Sequence, residues 1–509
     1  MSRTHWSASS LACVILLAGP LASAQPALPP KAPAPPPPTP ATIELRDAPK
    51  VEDTLTAALA TQRGGLTSEE AARKAVTASP TLEARRAEID AAAAQVDQAM
   101  AAFLPRLTLR AGYTRLSPVD ISLGGGAIVG VGTAGALTVG PCPGGVGECL
   151  LDSAGQPAGA ASFSIETPLN NYALTASLSV PVSDYVFRLR SARAAVKSNE
   201  TAANLTRDAD KASVAAEART AFYNWARALG QVAVAEKTVE RAKARLADVQ
   251  TAFALGTATK ADGLRLEALV AGSELLVAQA VALRELTAEQ LRILMNQTGT
   301  LALGENVLEP DAPLPSSESL EGLIAEAMNR RLELKSLSAR VTALDATASA
   351  TRAGMLPRLD AFADLTYANP NQRSFGGGAE WKASWSVGAA ITWAPNDALG
   401  GAASAAGIDA NTRALVANQA ALKNGVRLEV TAAFLDRQKA QTALGAAGRN
   451  ATASQEAYRV AVDLYRVGRA TTTEVIDVEA ELVSAQLQLL NARIDIKLAR
   501  LRLAHAVGR

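Results

Sequence analysis

Two hydrophobic periods alternate along this chain. Through residues 67–102, apolar side chains recur at helical steps in Leu82, Ile89, Val96 and Met100, and Pro80 is expected to kink or divide the helix. Thr67 with Glu70 three residues on predicts a capping box at its start. The period then falls to two. Leu107, Leu109, Ala111 and Tyr113 alternate with Arg106, Thr108, Arg110, Gly112 and Thr114, which predicts a strand over 104–116 with one apolar and one polar face. The same alternation predicts strands over 172–184, 356–368 and 383–394. Between and after them lie long helical stretches: 191–254, 260–295, 320–354 (broken near 329–331), 402–467 and 470–507.

The turn after each very long helix has the same chemistry. Leu464–Leu482 reads LYRVGRATTTEVIDVEAEL, and Phe253–Ala268 reads FALGTATKADGLRLEA. Laying Gly256 on Gly468 puts Ala258 on Ala470, Thr259 on Thr471, Asp262 on Glu474 and Glu267 on Glu479, about 212 residues apart. LPRL also recurs, at Leu104–Leu107 and Leu356–Leu359. A two-fold internal repeat follows: a first copy over 66–298, a connector over 299–317 and a second copy over 318–509, each with a helix, two strands, a long helix and a return helix.

Composition narrows the class. Arg3, the apolar run Leu11–Leu21 and Ala22-Ser23-Ala24 predict a signal peptide over 1–24, with the mature chain beginning at Gln25. Residues 25–65 are expected to be a Pro-rich N-terminal linker. The balanced charge, 50 basic against 49 acidic residues, gives no reason to expect nucleic acid. No later stretch reads as a transmembrane helix, so entry into a membrane falls to the strands. With His5 in the signal peptide, only His505 remains, and neither a His-based triad nor a multi-His metal centre can be assembled. No enzyme activity, metal or cofactor is expected.

Residues 119–165 are Gly-rich and read as a long exposed loop. Its Gly130-Val131-Gly132-Thr133-Ala134-Gly135 matches a dinucleotide fingerprint, but Pro141 and Pro143 follow where that motif requires a helix. Cys142 and Cys149 in the same loop are expected to pair in an exported protein; the other option, half a metal site, lacks a nearby His.

Four strands cannot close a barrel, and open edges do not survive in lipid, so several copies must pool their strands. Three copies supply about twelve, within the range of outer-membrane barrels. Tyr113, Tyr172, Tyr367, Trp381 and Trp393 lie near strand ends, where aromatic girdles belong. A soluble β-sandwich is the competing reading of these strands.

At these residues the chain resembles the TolC family of outer-membrane efflux and secretion channels, most specifically in the two turn motifs and in Pro105, Pro181, Pro357 and Pro395 at the strand–helix junctions. The resemblance implies an α+β membrane channel: a trimeric twelve-strand β-barrel in the bacterial outer membrane, continued by an α-helical coiled-coil barrel across the periplasm. It implies a passive exit duct serving a tripartite efflux or type I secretion system. Its implied partners are two further copies, a periplasmic adaptor (membrane fusion) protein, an inner-membrane pump of RND or ABC type, and outer-membrane lipid. By position, Asp262, Tyr465, Arg469, Glu474 and Asp477 match the family's periplasmic gate, although Ala470 stands where other members carry Arg. Gly256, Thr257, Gly468 and Ala470 are the expected adaptor-docking turns. The capping role of Asp262 and Glu474 is the plainer reading of those carboxylates. A periplasmic coiled-coil adaptor or scaffold explains the helices but not the strands.

Overall fold

A computed structural model describes residues 51–118, 121–122, 128–129, 136–158, 160–161, 164–165, 168–256, 258–309, 319–374 and 380–509. The expected signal peptide, the linker up to residue 50, the whole 130–135 glycine motif, Thr257 and Pro310–Pro315 lie outside these residues.

The first part of the chain contains α1 (Val51–Ala58), α2 (Ser68–Ala78), α3 (Pro80–Ala101), β1 (Arg106–Arg115), β2 (Ile121–Ser122), β3 (Ile128–Val129), β4 (Thr138–Pro141), β5 (Glu148–Leu151), β6 (Ala160–Ala161), β7 (Ser164–Ile165), β8 (Asn170–Val180), α4 (Val182–Ala254) and α5 (Lys260–Met295). The remainder contains α6 (Leu320–Arg330), α7 (Leu332–Ala353), β9 (Arg358–Asn369), β10 (Lys382–Thr392), α8 (Pro395–Arg466) and α9 (Thr472–Val507).

The long helices begin earlier than the hydrophobic period suggests. The expected 172–184 strand stops at Val180, and α4 begins at Val182. Pro181 occupies the N-cap of α4 and Pro395 the first turn of α8, as Pro80 does in α3. Proline has no N–H to lose and a preset φ there, so the residue that ends each strand pairing also starts the helix. At 73 and 72 residues, α4 and α8 are each about 110 Å long.

The strands β1, β8, β9 and β10 form one antiparallel sheet in that order. Its register stacks Leu107, Leu178, Ala363 and Val387 in one row and Leu109, Ala176, Leu365 and Trp385 in the next. These share a face, and Leu109, Trp385 and Val387 on it are more than two-thirds exposed. At its end Tyr113 packs on Tyr172 with ring centroids 5.0 Å apart, and Tyr367 on Trp381, also at 5.0 Å. Where the 119–165 segment is described, it is not irregular: β2 pairs with β7, β3 with β6 and β4 with β5, extending the β1–β8 hairpin.

The α4 helix carries shorter helices along its length. Ser336 Oγ on α7 donates to the Ala202 carbonyl at 3.0 Å, and Arg85 Nε on α3 donates to Asp210 Oδ2 at 2.7 Å. Further along, Lys243 Nζ pairs with Glu274 Oε1 of α5 at 2.7 Å. Where α2 and α5 meet, Phe222, Trp225, Leu291, Leu490 and Ile494 form the largest core.

Two expectations need correction. The expected 25–65 linker is not linker to its end: Leu55 and Leu59 are buried in the main core, and Gln62 N–H donates to the Leu303 carbonyl at 2.7 Å. Their apolar side chains dock once the core offers a surface, which the Pro-rich stretch before them cannot do. Secondly, α5 is long and apolar enough to cross a membrane. It nevertheless lies along α4 with Leu275, Leu286 and Ile293 exposed, an apolar flank alongside the bundle.

Candidate functional site at the helix turns

The chain reverses twice at the end of the bundle remote from the sheet, and both reversals are built alike. Gly256 and Gly468 follow the long helices with φ of +74° and +71°. Only glycine enters this left-handed region without a steric cost. Gly468 N–H donates to the Tyr465 carbonyl at 3.0 Å and Arg469 N–H to the Leu464 carbonyl at 2.9 Å, closing a Schellman turn. A Cβ at either glycine would meet nothing within 4 Å, so the constraint there is backbone conformation and not space.

Each return helix then starts with a capping box. Thr259 N–H donates to Asp262 Oδ2 at 3.1 Å, and Asp262 N–H donates back to Thr259 Oγ1 at 3.3 Å. In the second turn, Thr471 N–H donates to Glu474 Oε2 at 2.7 Å and Glu474 N–H to Thr471 Oγ1 at 3.2 Å. The Thr259 hydroxyl also donates to Asp262 at 2.6 Å. These bonds, with a smaller contribution from Arg265, hold the Asp262 carboxyl below the usual range.

The expected gate residues are therefore placed at the turns, but no bond among the described residues joins them to one another. Asp262 and Glu474 are committed to their own caps. Tyr465 packs half-buried against the cluster of Tyr458, Val462, Val475 and Leu482 in its own hairpin. Asp477, Arg469 and Gly468 are exposed, as is Gly256, and Ala470 is half-buried. The tie between the turns comes from a residue the sequence reading did not select: Arg265 Nη1 donates to the Thr473 hydroxyl at 3.2 Å. Its position one turn after Asp262 was the available signal.

A second polar group was also missed. Glu479 aligns with Glu267 in the repeat, yet Glu267 is exposed and Glu479 is 4% exposed. Arg241 Nε on α4 approaches Glu479 Oε1 to 3.3 Å without hydrogen-bond alignment, and one turn along Arg245 Nη2 donates to the Tyr458 hydroxyl of α8 at 2.8 Å. Burial pushes the Glu479 carboxyl upward, against the pull of Arg241 and Arg245. The group joins α4, α8 and α9, and a cavity of about 330 Å³ beside it is lined by Thr238, Leu269, Ser273, Ile476, Glu479 and Val483.

At the other end of the molecule, Cys142 and Cys149 are bonded to each other across the β4–β5 hairpin, their Cα atoms 5.0 Å apart.

Residues 323–509 match the outer membrane efflux protein family. No curated protein matches the chain. Among solved structures, CusC has the same fold at TM-score 0.65 and 16% identity, over 90% of this chain and 92% of that one. The outer-membrane channel OprN matches at 0.65 and 20% identity, over 93% and 97%. The open-state MtrE outer membrane channel of Neisseria gonorrhoeae matches at 0.64 and 18%, over 87% and 88%. Residues 323–509 thus carry the match to the outer membrane efflux protein family, and the chain as a whole shares the fold of CusC, OprN and MtrE.

Proposed function

We propose that the chain is the outer-membrane channel of a tripartite efflux or type I secretion system, a passive duct for solutes delivered by an inner-membrane pump. One observation carries this reading. A sheet with an exposed apolar face and an aromatic margin continues directly into helices about 110 Å long. A lipid-facing wall and a periplasmic duct are thereby supplied by one chain.

The sheet has two open edges, β1 and β10, and lipid tolerates neither. Three copies joined edge to edge close about twelve strands into a barrel. The exposed apolar flank of α5 supports the same assembly, because side-by-side packing of copies covers it. The equal lengths of α5 and α9, 36 residues each, and the paired positive-φ glycines and capping boxes support an internal two-fold repeat. The two turns, being exposed at the far end, are where a periplasmic adaptor would dock.

The test is assembly and conductance. The protein purified in detergent should be trimeric and should form channels in planar bilayers. A stable, non-conducting detergent monomer would overturn the reading.

A further inference from the structure

The face of the sheet opposite the apolar one carries charge that the chain does not neutralise. Arg106 and Arg110 on β1 alternate with the apolar Leu107 and Leu109 and so stand on the polar face. Both are exposed, and neither has an ion-pair partner among the described residues. Across the sheet their rows contain Ser179, Phe362 and Gly388 for Arg106, and Thr175, Thr366 and Ser384 for Arg110. The carboxylates on this face are Asp360, already paired with Arg358 at 2.8 Å, and Asp364, one row between the two arginines and two strands away.

A second observation concerns the other edge. β1 is one margin of the sheet and β10 is the other, so closure by further copies lays a partner's β10 beside β1. The polar-face positions of β10 are Lys382, Ser384, Ser386, Gly388, Ala390 and Thr392, with no carboxylate among them. Edge pairing therefore brings no counter-charge to Arg106 or Arg110.

We propose that Arg106 and Arg110 form an anion-attracting belt inside the barrel, a site for multivalent anions at the outer-membrane end of the duct. The inference rests on the barrel reading above, since threefold repetition is what turns two arginines into a ring. Within a lumen walled by low-dielectric material, uncompensated guanidinium groups raise the local concentration of anions, and phosphate or carboxylate groups match their donor geometry. The belt is opposite in sign to the carboxylates at the helix turns.

The experiment is side-specific block in planar bilayers after insertion from one chamber. Tripolyphosphate added on the barrel side should block current, and Arg106→Gln with Arg110→Gln should weaken that block about tenfold or more. Arg106→Lys with Arg110→Lys should retain it, and Arg110→Gln alone should give an intermediate loss if the double variant does not assemble. Assembly of every variant is checked by sizing in detergent. Wild-type trimeric channels that tripolyphosphate does not block, or blocks equally after loss of the arginines, overturn this inference alone. Failure of the wild type to form channels overturns the barrel reading and the belt with it.

Discussion

Arg265 on α5 and Thr473 on α9 lie 208 positions apart in sequence and meet in a 3.2 Å hydrogen bond from Nη1 to the hydroxyl. The bond joins the second turn of α5 to the first turn of α9, where the family pattern implies a gate. Arg265→Ala should loosen this tie. A charged hydrogen bond at an exposed site is worth about 1 kcal/mol, which corresponds to a several-fold rise in the open fraction of the tip. Single-channel recording should show that rise. A double-mutant cycle with Thr473→Val should return a coupling of similar size.

Glu474 has a cap to make and a charge to display, and two substitutions separate them. Glu474→Gln keeps the oxygen that accepts from Thr471 N–H. Combined with Asp477→Asn, it should weaken cation selectivity and block by multivalent cations while leaving the first turn of α9 protected from hydrogen exchange. Glu474→Ala should change selectivity and also fray that turn, at a cost of about 1 kcal/mol. Unchanged selectivity in the double amide variant would leave capping as the whole role of Glu474.

Asp262 gives the corresponding turn a pH dependence. Its folded pKa lies below that of the unfolded chain because Thr259 bonds to the carboxylate. The stabilisation is therefore fully present above the ordinary aspartate value and is lost as pH falls through the folded one. Hydrogen exchange at the start of α5 should accelerate in acid, and Asp262→Asn should remove the pH dependence.

Glu479 runs in the other direction. Burial raises its folded pKa, so its contribution is fully present below the ordinary glutamate value and is lost as pH rises through the folded one. Glu479→Gln should flatten this dependence and lie within about 1 kcal/mol of wild type at neutral pH, since the charge and its desolvation are removed together. Glu479→Ala should cost about 2–3 kcal/mol, because it also removes buried side-chain volume and the oxygen that glutamine keeps beside Arg241. Chemical denaturation of both variants checks the order.

Gly468→Val should cost about 1–2 kcal/mol at the turn by forcing a branched side chain to positive φ. Efflux should fail while trimers still assemble. Gly468→Asn should retain more activity, since asparagine tolerates the left-handed region and the space beside Gly468 is open. Equal efflux by the valine variant would remove this turn from the docking surface.

The strand and helix pattern was legible in the sequence because it depends on period alone. Leu107–Leu109–Ala111–Tyr113 alternates on a two-residue step whatever lies beside it, and the register later put these residues on one face. The turns were legible for a related reason. Gly256 and Gly468, with Thr259 and Thr471 after them, act through bonds spanning a few residues, so local chemistry determines them. The long helices start several residues before the hydrophobic period shows them, because Pro181 and Pro395 at the strand–helix junctions have no N–H to lose and so suit an N-cap or first turn.

Tertiary structure alone decided which polar residues meet. Glu267 and Glu479 occupy matched positions, yet only Glu479 faces Arg241, because burial depends on which helices flank a position and not on its neighbours in sequence. Arg265 and Thr473 are likewise brought together by two hairpins lying side by side. The packing of residues 51–65 onto the Leu303 segment was invisible for the same reason: its partner is more than 200 residues away, and no local period records a contact at that range.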